Sequence, residues 1–74
     1  MPGNRLVICI RNKGYGASLE RNKIYAVVPD DAAEREGDLR VLDESGEDYL
    51  FSADRFVEIE LPEKLRATIL KTLR

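Results

Sequence analysis

The chain has no histidine, no tryptophan, a single cysteine and only five aromatic residues among 74. Without histidine the commonest general base and metal ligand is missing, which weighs against acid–base catalysis at neutral pH. A lone cysteine forms no internal disulfide, so packing alone must hold the fold, as suits a reducing compartment. Cys9 lies inside "LVICI", where it reads as a small buried hydrophobe rather than a nucleophile. No apolar run approaches the ~20 residues of a membrane span. The five apolar residues Leu6–Ile10 are too few for a secretory leader, so a cytoplasmic address is expected. No serine occupies a nucleophile elbow, and "GYG" at 14–16 lacks the spacing of a phosphate-binding loop. Neither an enzyme nor a bound cofactor is expected.

What remains is 43% hydrophobic and 35% charged, the balance of a globular domain. Net charge is −2 but unevenly spread. Residues 1–25 set Arg5, Arg11, Lys13, Arg21 and Lys23 against Glu20; residues 26–63 are strongly acidic; residues 64–74 carry only cations. The acidic middle argues against wrapping nucleic acid, whose phosphates need cationic contact. Acid pairs such as Asp43-Glu44 and Glu47-Asp48 raise the question of a divalent cation. An oxygen cage takes about six to eight ligands, and this turn is too short to supply them, so no metal site is expected.

Along the chain, "RLVICI" (5–10) reads as a strand with Leu6, Ile8 and Ile10 sharing a face. "RNKGYGASLERN" (11–22) is a long loop, or an irregular hairpin ending near Ser18–Leu19, followed by a polar turn. "KIYAVV" (23–28) is the second strand. Pro29 stops it, Asp30 is placed to cap a helical turn, and Gly37 to end that turn in the left-handed region. "DLRVLDESGEDYLF" (38–51) reads as a hairpin with Ser45-Gly46 at its tip. Tyr49 and Phe51 share one face of the return strand and Leu50 takes the other. "SADR" is a tight turn. "FVEIEL" (56–61) resumes as a strand with Val57, Ile59 and Leu61 inward. In "LPEKLRATILKTLR", Leu65, Ile69 and Leu73 recur every fourth residue, predicting an amphipathic helix over about 62–73.

Five short strands in fewer than sixty residues predict a mainly β protein, a small closed or half-closed barrel over about 5–61, within a single domain spanning 1–74. The order of connections, a long loop in "RNKGYGASLERN", a diverging turn in "SLERNKIYAVV" and a short 3₁₀ turn in "SADRFVEI", resembles the Src-homology-3-like barrel. The resemblance covers Leu6 to Leu61. Through "DESGEDYLFSADRFV" the chain also resembles short stand-alone bacterial proteins of this fold that carry no assigned activity. Peptide-binding members grip polyproline between stacked aromatics; here Arg11-Asn12-Lys13 follows the first strand and tryptophan is absent, so proline-rich ligands are not expected.

The expected function is a non-enzymatic protein-interaction module. Its candidate surface is Arg11, Lys13 and Tyr15 of the long loop with Asp54 and Arg55 of the "SADR" turn. The alternative is an RNA- or ribosome-associated module using the basic loop 11–23, with Tyr15 stacking on a base. The C-terminal helix is expected to cap its own barrel, burying Leu65, Ile69 and Leu73, in a monomer; a dimer through that helix is the alternative.

Overall fold

This computed structural model describes residues 5–72. Five strands form one antiparallel sheet: β1 (Arg5–Cys9), β2 (Ile24–Val28), β3 (Asp38–Leu42), β4 (Asp48–Ser52) and β5 (Phe56–Ile59). A helical turn, α1 (Asp31–Arg35), joins β2 to β3; a 3₁₀ turn, Ala53–Arg55, joins β4 to β5; a helix, α2 (Glu63–Thr72), follows. The strand order is β4-β3-β2-β1-β5. β4 and β5 therefore stand at the two ends of the ladder, with no pairing between them to close it. The expected barrel becomes an open, coiled sheet. Its end strands are drawn together on the inner side, where the rings of Phe51 and Phe56 lie 6.1 Å apart, edge to face.

Local chemistry places the connections. The Asp30 carboxylate accepts the Ala33 N–H at 3.0 Å, capping α1. Gly37 ends that turn with φ +87°, a conformation that carries a steric penalty for any side chain with a Cβ. The β3–β4 hairpin closes when the Gly46 N–H donates to the Asp43 carbonyl and the Asp43 N–H to the Glu47 carbonyl, each at 3.0 Å. Gly46, at φ +86°, is the left-handed residue of this turn.

One face of the sheet carries the core: Val7, Cys9, Tyr25, Val27, Val41, Phe51 and Phe56, joined by Leu19 from the long loop, with Leu39 packed against them. Cys9 is fully buried. The pairs Val7↔Tyr25, Val27↔Val41 and Leu39↔Phe51 keep these side chains on one side. Tyr49 falls on the same face as Phe51, as the alternation predicts, but at the margin, where it stays half exposed.

One expected orientation is reversed. In β5 the inward residue is Phe56, which is buried, while Val57 is 50% exposed. Val57 pairs with Ile8, and Phe56 with Cys9. Because side chains alternate, a one-residue change of phase turns every one of them over; Phe56 anchors that phase because it is the bulkiest apolar group in the strand. In β1, Leu6 and Ile8 share a face as expected, and it is the outer one: Leu6 is buried there, while Val7 and Cys9 face the core and Ile10 is partly exposed.

That opposite side is where α2 lies. Leu6 and Ala26 pair there and both are buried. Arg66 shares one cleft with Leu6 and Ile59, and Thr72 shares another with Ala26 and Leu42. The helix thus runs over the outer face of β1 and β2 instead of plugging a barrel end. None of its described residues is fully buried; Ile69 and Leu70 are partly covered and Leu65 is 48% exposed. Leu73 lies outside the described residues. No helix among the described residues is long and apolar enough to cross a membrane.

Candidate functional site

The long loop after β1 carries no strand. It is shaped by turns: the Tyr15 N–H donates to the Asn12 carbonyl at 2.8 Å, and the Tyr15 carbonyl accepts from Ser18 and Leu19 at 2.9 and 2.8 Å. Leu19 is fully buried and pins the far end of the loop to the core. The Asn12 amide donates to the Leu19 carbonyl at 3.1 Å, tying one limb of the loop to the other. A long polar segment is thereby given one conformation.

The 3₁₀ turn is bonded to the base of this loop. The Arg55 carbonyl accepts the N–H groups of Ile10 and Arg11 at 2.7 and 3.2 Å. The Arg55 guanidinium donates back to the carbonyls of Lys13 and Arg11 at 3.1 and 3.4 Å, and it lies 4.4 Å from the centre of the Tyr15 ring. A cation over an aromatic face is attracted by the ring quadrupole. Tyr15 meets Phe51 edge to face at 5.3 Å. The Arg11 guanidinium donates to the Asp54 carbonyl at 2.8 Å, and the Asp54 carboxylate accepts from Ser52 at 2.8 Å. The structure therefore brings Arg11, Lys13, Tyr15, Asp54 and Arg55 together on one surface, although they are about forty positions apart in the chain.

A shallow groove of about 270 Å³ adjoins this surface, between Tyr15 and Ser18 on the loop side and Ser45, Tyr49 and Leu50 on the hairpin side. Tyr15, Tyr49 and Leu50 are each between 42% and 48% exposed. Tyr49 and Leu50 belong to the surface though sequence reasoning assigned them only to strand faces. Their position on an end strand, unlike their alternation, has no local signal.

Behind the loop lies a polar cluster also missed from sequence. The Tyr25 hydroxyl accepts the Glu20 N–H at 2.7 Å and donates to the Glu44 carboxylate at 2.6 Å. Lys23 pairs with the same carboxylate at 2.7 Å. The Lys23 ammonium and then the Tyr25 hydroxyl hold the Glu44 carboxyl below its ordinary range. Burial, reinforced by the Glu44 carboxylate, pushes the Tyr25 phenol far up. The hairpin acid Asp43 is buried and its carboxylate is taken by the backbone and hydroxyl of Ser45, at 2.8 and 2.5 Å. Its lone pairs serve the turn. This cluster ties the loop end, β2 and the hairpin tip together, and it leaves Lys23 committed to an internal partner.

No protein-family model, curated protein or solved structure matches the chain.

Proposed function

We propose that this chain is a small protein-interaction module of Src-homology-3-like topology that works by surface contact and not by catalysis. The order β4-β3-β2-β1-β5, with β5 returning to pair β1 after a 3₁₀ turn, supports the topology. One observation carries the functional reading: Arg55 locks the long loop to the 3₁₀ turn through Tyr15 and two carbonyls, so an exposed surface is held in one shape. A surface fixed before contact loses less entropy on binding. A cytoplasmic setting suits the lone thiol, Cys9.

The nucleic-acid alternative uses the same loop, but Lys23 is paired with Glu44 and one side of the Tyr15 ring is taken by Arg55. A base would have to displace that guanidinium to stack there. Amide-shift titration at low salt separates the readings. A model RNA oligonucleotide should leave Lys13, Tyr15 and Lys23 unmoved, and salt-sensitive shifts at those residues would favour the RNA reading. Affinity capture then tests the surface itself. Proteins retained by the native chain should be lost with R55A, in a variant whose circular dichroism is unchanged; equal retention would remove Arg55 from the interface.

A further inference from the structure

Among the described residues, the end strand β4 has an unpaired side. On β3 and β4, the inward hydrogen bonds from Asp43 to Glu47 and from Ala53 to Gly37 place residues 47 and 53 in the bonding phase. Tyr49, two residues after Glu47, and Phe51, two residues before Ala53, share it. The backbone N–H and C=O groups of Asp48, Leu50 and Ser52 therefore point away from the sheet, along its free edge. Such an edge is a template for another strand unless it is defended by lysine, proline, a bulge or a cover. β4, "DYLFS", has none of these devices apart from the single charge of Asp48. At the other edge, β5 carries Glu58, which Arg5 pairs at 3.3 Å.

We infer that β4 is a self-association edge, at which two copies of this chain pair antiparallel about a two-fold axis through Leu50. This goes beyond the loop surface, because the contact is a strand edge and the occupant is the chain itself. The register follows from which groups are free. With Leu50 opposite Leu50 of the second copy, Asp48 falls opposite Ser52, and all three positions face outward on both strands. Leu50 meets itself on the outer face, an apolar match, and Asp48 stands opposite Ser52, whose hydroxyl is bonded to Asp54 of its own chain. The two half-exposed apolar side chains of β4, Tyr49 and Leu50, are covered by the same contact.

Charge favours the same register. Continuing it past β4 sets Glu47 opposite Ala53, so the acidic hairpin tip of one copy comes alongside the 3₁₀ turn of the other. That turn holds Arg55, with Arg11 bonded to it and Lys13 beside it; Asp54 stands there too, opposite Gly46. Three cations against one acid receive an acidic tip, and the two-fold repeats the match. Pairing about the other edge lacks this: an axis at Glu58 of β5 would set that carboxylate against itself, and like charges directly opposite repel. An edge of five residues buries less than the ~1,000 Å² of a stable interface, so the dimer is weak and concentration-dependent.

The test is light scattering with size exclusion on the full chain over rising concentration. The average mass should climb from 8.4 kDa toward twice that value, and the climb should shrink in high salt. L50K and L50E each set like charges across the axis and should stay monomeric, with melting curves unchanged because Leu50 is exposed. Mixed in equal amounts, the two variants should regain the dimer, since opposite charges then face each other. A native chain that stays monomeric throughout overturns the inference. So does a dimer that persists in L50K, which would place the contact elsewhere, or a mixture that fails to recover, which would remove Leu50 from the axis.

Discussion

The Arg55 guanidinium lies 4.4 Å from the centre of the Tyr15 ring while its N–H groups bond the carbonyls of Arg11 and Lys13. One side chain from the 3₁₀ turn thus does for the loop what a disulfide does in a cysteine-rich domain. The substitution R55K keeps the charge and loses the planar fork and the stacking surface. Amide hydrogen exchange at Tyr15, Ser18 and Leu19 should quicken in R55K and more so in R55A, with about 1 kcal/mol lost from global stability in R55A. Unchanged exchange would mean the loop is held without Arg55.

Leu19 anchors the loop from within. It is fully buried in the main cluster although it comes from an irregular segment. L19A should cost about 2–5 kcal/mol, as for a residue inside a strand. In a domain this small, that is read as a fall in melting temperature of about 4–8 °C per kcal/mol. A loss comparable to that of an exposed position would show the loop to be dispensable to the fold.

Acid should destabilise the protein in two places. The Asp30 carboxyl is held below its ordinary value of 3.8, first by the Ala33 N–H and then by Arg40. Glu44 is held below 4.5 by Lys23 and then Tyr25. Groups whose folded pKa is depressed add stability above the unfolded value and lose it as pH falls through the folded one. Thermal melts should therefore begin to drop near pH 4.5 and fall further below 3.8. E44Q should flatten the upper part of that drop.

On the alkaline side the sign is opposite. Tyr25 and Lys23 have raised values, from 10.0 and 10.5, so their contributions are complete below those values and fade as pH rises through the folded ones. Y25F removes the acceptor of the Glu20 N–H and the donor to Glu44, and should cost about 1 kcal/mol at neutral pH. Denaturant melts at pH 7 and pH 11 read both effects; the gap between native and Y25F should narrow at the higher pH.

Deleting residues 62–74 tests the helix in its observed place. Leu6 and Ala26 would lose their cover on the outer face, and the sheet should melt at lower temperature and expose apolar surface to a hydrophobic dye. An unchanged melt would mean the helix covers nothing of consequence in its own chain.

Much of the layout was legible because it depends on chemistry between near neighbours. The cap of Asp30 on Ala33, the positive φ of Gly37 and Gly46, and the turn at Ala53–Arg55 all follow from residue types a few positions apart. The five candidate surface residues were chosen as polar and aromatic side chains in segments too irregular to be core. Their convergence depends on β5 returning to β1, a contact between distant segments.

Sequence by itself determined where strands and turns fall, because alternation, glycine conformation and helix capping act within a few bonds. Which face of β5 is inward, whether the ladder closes, and which side of the sheet α2 covers were decided only in three dimensions. An alternating strand has two equally good phases until a large group such as Phe56 finds the cavity beside Phe51. A helix with one apolar stripe fits any apolar surface until the sheet shows which of its two faces is already filled.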